Sequence, residues 1–183
     1  MKKLLKHSAL ILTLVLTPIA YAHEEGKASK MMGSSPYAAK APYDIQFLDT
    51  MAQHHREGIE MFQRGIDKAQ NDNLRDMAKR MKDDQEKEIS ELKSMREDIK
   101  SDAPEAINRK LPGMEPMNMS KLESSEGKDF DKHFIDMTIQ HHKGALAMSK
   151  DALKRAKTKE VKDKAEMIID MQKKEISKLK EMK

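Results

Sequence analysis

From residue 43 onward, apolar side chains return every three or four positions, the period of a helix buried along one side. Phe47, Met51, His54, Gly58 and Met61 follow a 4-3-4-3 spacing, beside a stripe of Leu48, Ala52, His55, Ile59, Phe62 and Ile66. A second such segment carries Leu74, Ala78, Met81, Gln85, Glu88, Leu92 and Met95. A third pairs Phe134, Thr138, His141, Ala145 and Met148 with Ile135, Ile139, His142, Leu146 and Leu153. A fourth runs through Val161, Ala165, Ile168, Gln172, Glu175, Leu179 and Met182. The spacing predicts helices over about 43–68, 72–100, 129–157 and 158–183. Pro42 suits the start of the first, Asn71-Asp72-Asn73 breaks it and can cap the second, and Thr158 is the expected cap of the fourth.

The second pair of helices repeats the first. A displacement of 87 residues lays 43–96 over 130–183 without a gap, matching Asp44/Asp131, Phe47/Phe134, Asp49/Asp136, His54/His141, His55/His142, Met61/Met148, Gln85/Gln172, Glu88/Glu175 and Leu92/Leu179. The halves are therefore a duplicated helical hairpin. Segment 101–128, holding Pro104, Pro112, Gly113, Pro116 and Gly127, reads mainly as a crossover loop, and residues 23–42 read as a flexible tail. The expected fold is all-α: a four-helix bundle of a first hairpin (43–100), the crossover and a second hairpin (129–183).

Four His, two Gln and two Glu lie in line with the apolar stripes. A buried polar group without a partner costs about 1–3 kcal/mol, so eight would cost on the order of 10 kcal/mol, against a domain stability of about 5–15 kcal/mol. They must be paired. Glu88 and Glu175 can accept hydrogen bonds from histidines of neighbouring helices. Alternatively the set ligates metal between facing helices, and both hold if Glu orients a ligating His. Met137 and His141 stand one turn apart, about 6 Å between Cβ atoms, and can share an ion; Met51 and His55 have the same relation. His141 and Met148 are two turns apart, about 10 Å along the axis, and are not expected to chelate together. Adjacent His54 and His55 diverge by about 100°, which suits different sites or partner helices.

Composition changes the picture in three ways. Of 183 residues, 36% are charged and 4% aromatic, with no Cys and 16 Met. The absence of Cys excludes disulfides, thiolate metal sites, iron–sulfur clusters and cysteine nucleophiles. Lys2, Lys3 and Lys6 precede an apolar run from Ala9 to Ala20, and Ala20-Tyr21-Ala22 follows, so residues 1–22 read as a secretory signal too short to span a membrane comfortably. Without its three lysines the net charge falls from +4 to +1, which removes the basis for a nucleic-acid partner. Finally, Met114, Met117 and Met119 cluster beside Pro112, Gly113 and Pro116. Helical Met77, Met81, Met95, Met167 and Met182 are expected to be core, and the loop methionines either pack over the bundle end or bind a soft ion. Thioethers suit Cu(I) and discriminate against Mg and Ca. Met31-Met32 is a weaker echo of the cluster. Cleavage after Ala22 would expose His23, whose α-amine and imidazole could chelate Cu(II), although a chance histidine is the plainer reading.

The motifs F-x3-M-x2-H-H-x2-G-x2-M (Phe47 to Met61) and F-D-x2-F-x6-H-H-x-G-A-x2-M (Phe130 to Met148), each followed by Q-x2-E-I, resemble a ferritin-like family. It is known as a domain of unknown function and includes CopM-type periplasmic copper-binding proteins. The resemblance spans about 43–183 and implies a four-helix bundle, periplasmic or secreted, that binds copper as Cu(I), or silver, through Met and His. It implies as ligand candidates Met51, His54, His55, Met61, His141, His142 and Met148; the spacing adds Met137, and the loop adds Met114, Met117 and Met119. Thr138 departs from the first half's Met51, with Met137 available to compensate. No E-x-x-H motif accompanies these residues, which speaks against di-iron oxidase chemistry. The leading expectation is copper buffering or sequestration without catalysis, since no nucleophile–base pair or nucleotide loop is present. The expected partners are copper ions and a protein that exchanges them, with no stable membrane insertion after signal cleavage. The alternatives are an envelope-stress chaperone offering adaptable Met-rich surfaces, or a di-metal oxidoreductase.

Overall fold

A computed structural model describes residues 33–183; residues 1–22, read as a secretory signal, together with His23 and Met31-Met32, lie outside the described residues. The elements are α1 (Tyr43–Lys68), α2 (Asp72–Lys100), the short α3 (Ser120–Ser124), α4 (Gly127–Arg155) and α5 (Lys159–Glu181). α1 packs on α2, α4 on α5, and α1 on α4, so the four long helices form a bundle of two hairpins. There is no strand among the described residues. α4 begins two residues before the expected 129 and ends at Arg155 rather than Lys157, and the crossover contains one short helix.

The duplication has a structural purpose at the hairpin turns. Asp131, at the start of α4, accepts the backbone N–H groups of Gln70 (2.8 Å) and Asn71 (3.0 Å) in the α1–α2 turn. Its equivalent Asp44, at the start of α1, accepts those of Lys157 and Thr158 (both 2.9 Å) in the α4–α5 turn. Each hairpin thus satisfies the other's turn amides, which otherwise have no partner. Asn71 caps α2 as expected, accepting from Asn73 and Leu74. Thr158 makes no side-chain cap to α5; its amide is held by Asp44 instead.

The expected flexible tail is corrected for residues 34–41. Ser35 N–H donates to the Ile107 carbonyl (2.8 Å) and Ser35 Oγ accepts from Ile107 N–H (3.2 Å). Ala38 and Ala41 are buried, and Tyr37 packs with Ala41, Ile45 and Ala106. This stretch lacks a helical period, so nothing in its pattern announced a burial created by the distant crossover. The crossover in turn is tied to α1. Asp49 accepts from Ala106 N–H (2.8 Å) and Arg96 Nε (3.1 Å), while Arg96 also reaches the carbonyls of Ala103 and Pro104.

Two apolar clusters fill the bundle. One gathers Phe47, Met51, Leu92, Met114, Met148 and Ile168; the other gathers Met61, Phe62, Met81, Phe130, Phe134 and Leu179. Between them, at mid-helix, lie all eight polar stripe residues. Met77 and Met81 are core as expected, but Met167 is 62% exposed and is not.

Candidate metal centre

The mid-bundle layer is organised around two kinds of histidine. His54 of α1 and His141 of α4 stack face to face, centroids 4.0 Å apart and planes 12° from parallel. Their neighbours turn outward to the second helix of their own hairpin. His55 Nε2 lies 3.0 Å from Glu88 Oε2, and His142 Nε2 lies 3.1 Å from Glu175 Oε2, while the Nδ1 atom of each ring is buried without a hydrogen-bond partner. The 100° divergence of adjacent helical positions accounts for the split, and the His–Glu contacts answer the expected internal pairing. The stacked rings have no such answer. His54 Nδ1 and His141 Nε2 are buried without a hydrogen-bond partner, as are both amide atoms of Gln85 and Gln172.

Glycine makes the stack possible. A Cβ on Gly58 would collide with the His141 ring and the Gln85 amide, and one on Gly144 would crowd His54 Nε2 and the Gly113 carbonyl. Gly113 itself turns with φ of 89° directly over Gly144, a conformation that glycine adopts without strain. The glycine in each H-H-x(1–2)-G motif is therefore room for a ring or for the crossover backbone.

Burial pushes His54 and His141 well below the ordinary histidine range, and the other layer histidines push the same way. Both rings are held neutral, lone pairs free. Glu88 differs: burial would raise its carboxyl, but contact with His55 and the charge of Lys164 outweigh that and lower it. Lys164 Nζ bonds Glu88 at 2.8 Å and Glu91 at 2.7 Å. Burial pushes Lys164 down, and the two carboxylates more than reverse it. The residue equivalent to Lys164 in the first half is Met77, so Glu175 has no such cation; it is less buried than Glu88. Asp84 is raised, first by burial and then by Glu175 and Glu88.

One nitrogen each from His54, His55 and His141 lie within 4.8 Å of one another, close enough to converge on one ion. A cavity of about 420 Å³ opens beside the stack, lined by His54 and His141, by Met137 and His133 of α4, and by Met117 of the crossover. Of the sequence candidates, the fold brings together His54, His55, His141, Met137 and Met117. His142 stands by Glu175. Met51, Met148 and Met114 belong to one apolar cluster and Met61 to the other, where Thr138 Oγ1 donates to its sulfur (4.0 Å). Met119 packs against that second cluster and does not line the cavity. His133 and Lys164 escaped the sequence reading, although His133 precedes Met137 by one turn, the same relation Met137 bears to His141. The donor set of neutral imidazoles and thioethers, with orphaned ring nitrogens and glycine-made room, fits a soft or borderline cation.

Solved structures share this fold. CopM in its Cu(II)-bound form is 28% identical with a TM-score of 0.66, covering 76% of this chain and 94% of CopM. CopM in its Cu(I)-bound form is 27% identical, TM-score 0.64, with the same coverage. A DUF305 protein of Streptomyces coelicolor, described as secreted, shares the fold at 21% identity and TM-score 0.69, covering 77% of this chain and 91% of that one. A comparison with curated proteins finds no significant match. The family model described as a domain of unknown function, DUF305, matches residues 20–96 and again 97–183. The chain therefore belongs to the DUF305 family, and it carries that domain twice.

Proposed function

We propose that this protein is an exported, non-enzymatic copper-binding protein that buffers or sequesters Cu(I), and Ag(I) where it is met, in the periplasm or outside the cell. The observation that carries the reading is the stacked His54–His141 pair: two buried, neutral imidazoles with orphaned nitrogens, His55 within reach and thioethers of Met137 and Met117 on the adjoining wall. Ligating histidine must be neutral, and burial holds these two in that state below the pH at which ordinary histidines protonate. His55 and His142 are anchored by carboxylates, the usual arrangement that fixes a metal-binding ring. The copper- and silver-bound CopM structures support copper as the cargo. No helix among the described residues is long and apolar enough to cross a membrane.

Large apolar side chains exposed among the described residues are Ile99 (37%) and Met167, which gives a chaperone little surface to act with. Competition against a Cu(I) chelator tests the proposal. Binding tighter than that of free methionine and histidine, lost in the His54→Leu/His141→Leu variant, is the expected result. Binding no tighter than the free amino acids would end it.

A further inference from the structure

α4 carries His133, Met137 and His141 at i, i+4 and i+8, all three lining the cavity. Successive members are one turn apart, about 6 Å, so His133 and His141 are separated by about 12 Å along the axis. Donors to one ion lie at most about 4 to 4.6 Å apart, given bond lengths of about 2.0 to 2.3 Å. His133 also stands outside the group of nitrogens that lie within 4.8 Å of one another, so it is not placed to share their ion, while Met137 is a helical neighbour of both His133 and His141. Met117, on the crossover, faces the same space.

The first half shows what this place looks like without such chemistry. The equivalents of His133, Asp136 and Met137 are Gln46, Asp49 and Thr50. There the crossover fills the space: Gln46 Oε1 accepts from Asn108 Nδ2 (2.6 Å), Thr50 Oγ1 from Asn108 N–H (2.9 Å), and Asp49 from Ala106 N–H. In the second half, two hydrogen-bonding side chains have become an imidazole and a thioether, and the backbone plug is missing. His133 Nδ1 is buried with no hydrogen-bond partner. Of the carboxylates that line the cavity, Asp136 pairs with Lys183 (2.5 Å), Glu57 pairs with Arg109 (2.7 Å), and Glu115 is exposed on the crossover, so the uncommitted buried nitrogen is that of His133, with the two thioethers beside it.

We propose that the cavity holds a second soft-metal position, built from His133, Met117 and Met137, outside the His54–His141 centre, and that it takes a univalent soft cation, Cu(I) or Ag(I). This rests on the copper reading above, and its test separates the two. The full chain, labelled on histidine nitrogen and methionine methyl groups, is titrated with Ag(I) and followed by NMR. The His133 ring and the Met117 methyl are expected to shift on saturation, with two Ag(I) bound per chain. His133→Gln should lower that to one while the His54 and His141 shifts persist. His54→Leu/His141→Leu should keep one Ag(I), with the His133 shift intact. An unperturbed His133 ring and Met117 methyl at saturation, in a wild-type chain whose His54 and His141 do shift, would overturn the second position alone. A wild-type chain that takes up no Ag(I) more tightly than free methionine and histidine would overturn both readings.

Discussion

The two hairpins share a framework and differ where chemistry is expected. In the first, Gln46 and Thr50 hydrogen-bond the crossover and their surroundings are filled; in the second, His133 and Met137 face a cavity. The layer histidines repeat the contrast. His55 contacts a Glu88 neutralised by Lys164, whereas His142 contacts a Glu175 whose equivalent partner is a methionine. Duplication supplied a symmetric scaffold of helices and turn caps, and a few substitutions gave one side an opening and the other a buried ion pair. The nitrogens that converge within 4.8 Å come from His54, His55 and His141 but not His142, so the centre is itself unsymmetrical.

The comparison can be broken most forcefully at the stack. His54→Leu/His141→Leu is expected to weaken Cu(I) binding by at least about 100-fold, since even outer-shell partners of ligands are worth about 10- to 100-fold; chelator competition measures it. His142→Leu should weaken it far less, because this ring lies outside the converging set.

Next comes the ion pair. Lys164→Met copies the first-half residue and leaves Glu88 buried beside His55 without its cation. Breaking a buried pair costs about 3 kcal/mol or more, visible as a lower urea midpoint. Adding Glu88→Gln should recover much of that. An unchanged midpoint in Lys164→Met would show that solvent already neutralises both carboxylates equally.

Acid should act through the stacked pair. His54 and His141 have folded pKa values below the unfolded value of about 6.5, so below that pH the unfolded chain binds more protons. Metal-free stability is therefore full above about pH 6.5 and falls as pH drops, by at most about 2.7 kcal/mol per pH unit for two groups. Urea unfolding between pH 7 and 5 measures the slope, and His54→Leu/His141→Leu should flatten it.

The smallest effects distinguish the turn caps. Asp44→Ala and Asp131→Ala each orphan two backbone amides. Loss of about 2 kcal/mol is expected for Asp44, which is buried, and about 1 kcal/mol for the more exposed Asp131. Equal losses in thermal unfolding would mean that burial does not set the value of the cap.

Much of this was legible in the chain itself. α1 and α2 lie where the 3.6 period and the Asn71 break put them, and the repeat of 87 residues announced two matched hairpins. The eight polar stripe residues marked a layer that needed an explanation, and the His–Glu pairing of that layer was among the answers available. Less visible were interactions between segments with no shared period. The Asp44/Asp131 identity was plain, but that each carboxylate caps the opposite hairpin's turn depends on which ends the bundle sets side by side. Met51, Met61 and Met148 recur near the paired histidines in sequence and share their stripes, yet their places along the helix axes, to either side of the histidine layer, put them in the apolar clusters. His133 stood unremarked because a lone histidine on a helix carries no pattern of its own.

Sequence alone therefore determined the helices, their duplication, the soft donors and the absence of thiols, because periodicity and side-chain chemistry are local properties. Tertiary structure decided which donors meet: that His54 stacks on His141 while His55 turns to Glu88, that Met117 and Met137 share a wall, and that residues 34–41 are tied down. Those outcomes depend on helix rotation, on the path of the crossover and on the glycines that let rings approach. They arise only when four amphipathic faces are closed on one another.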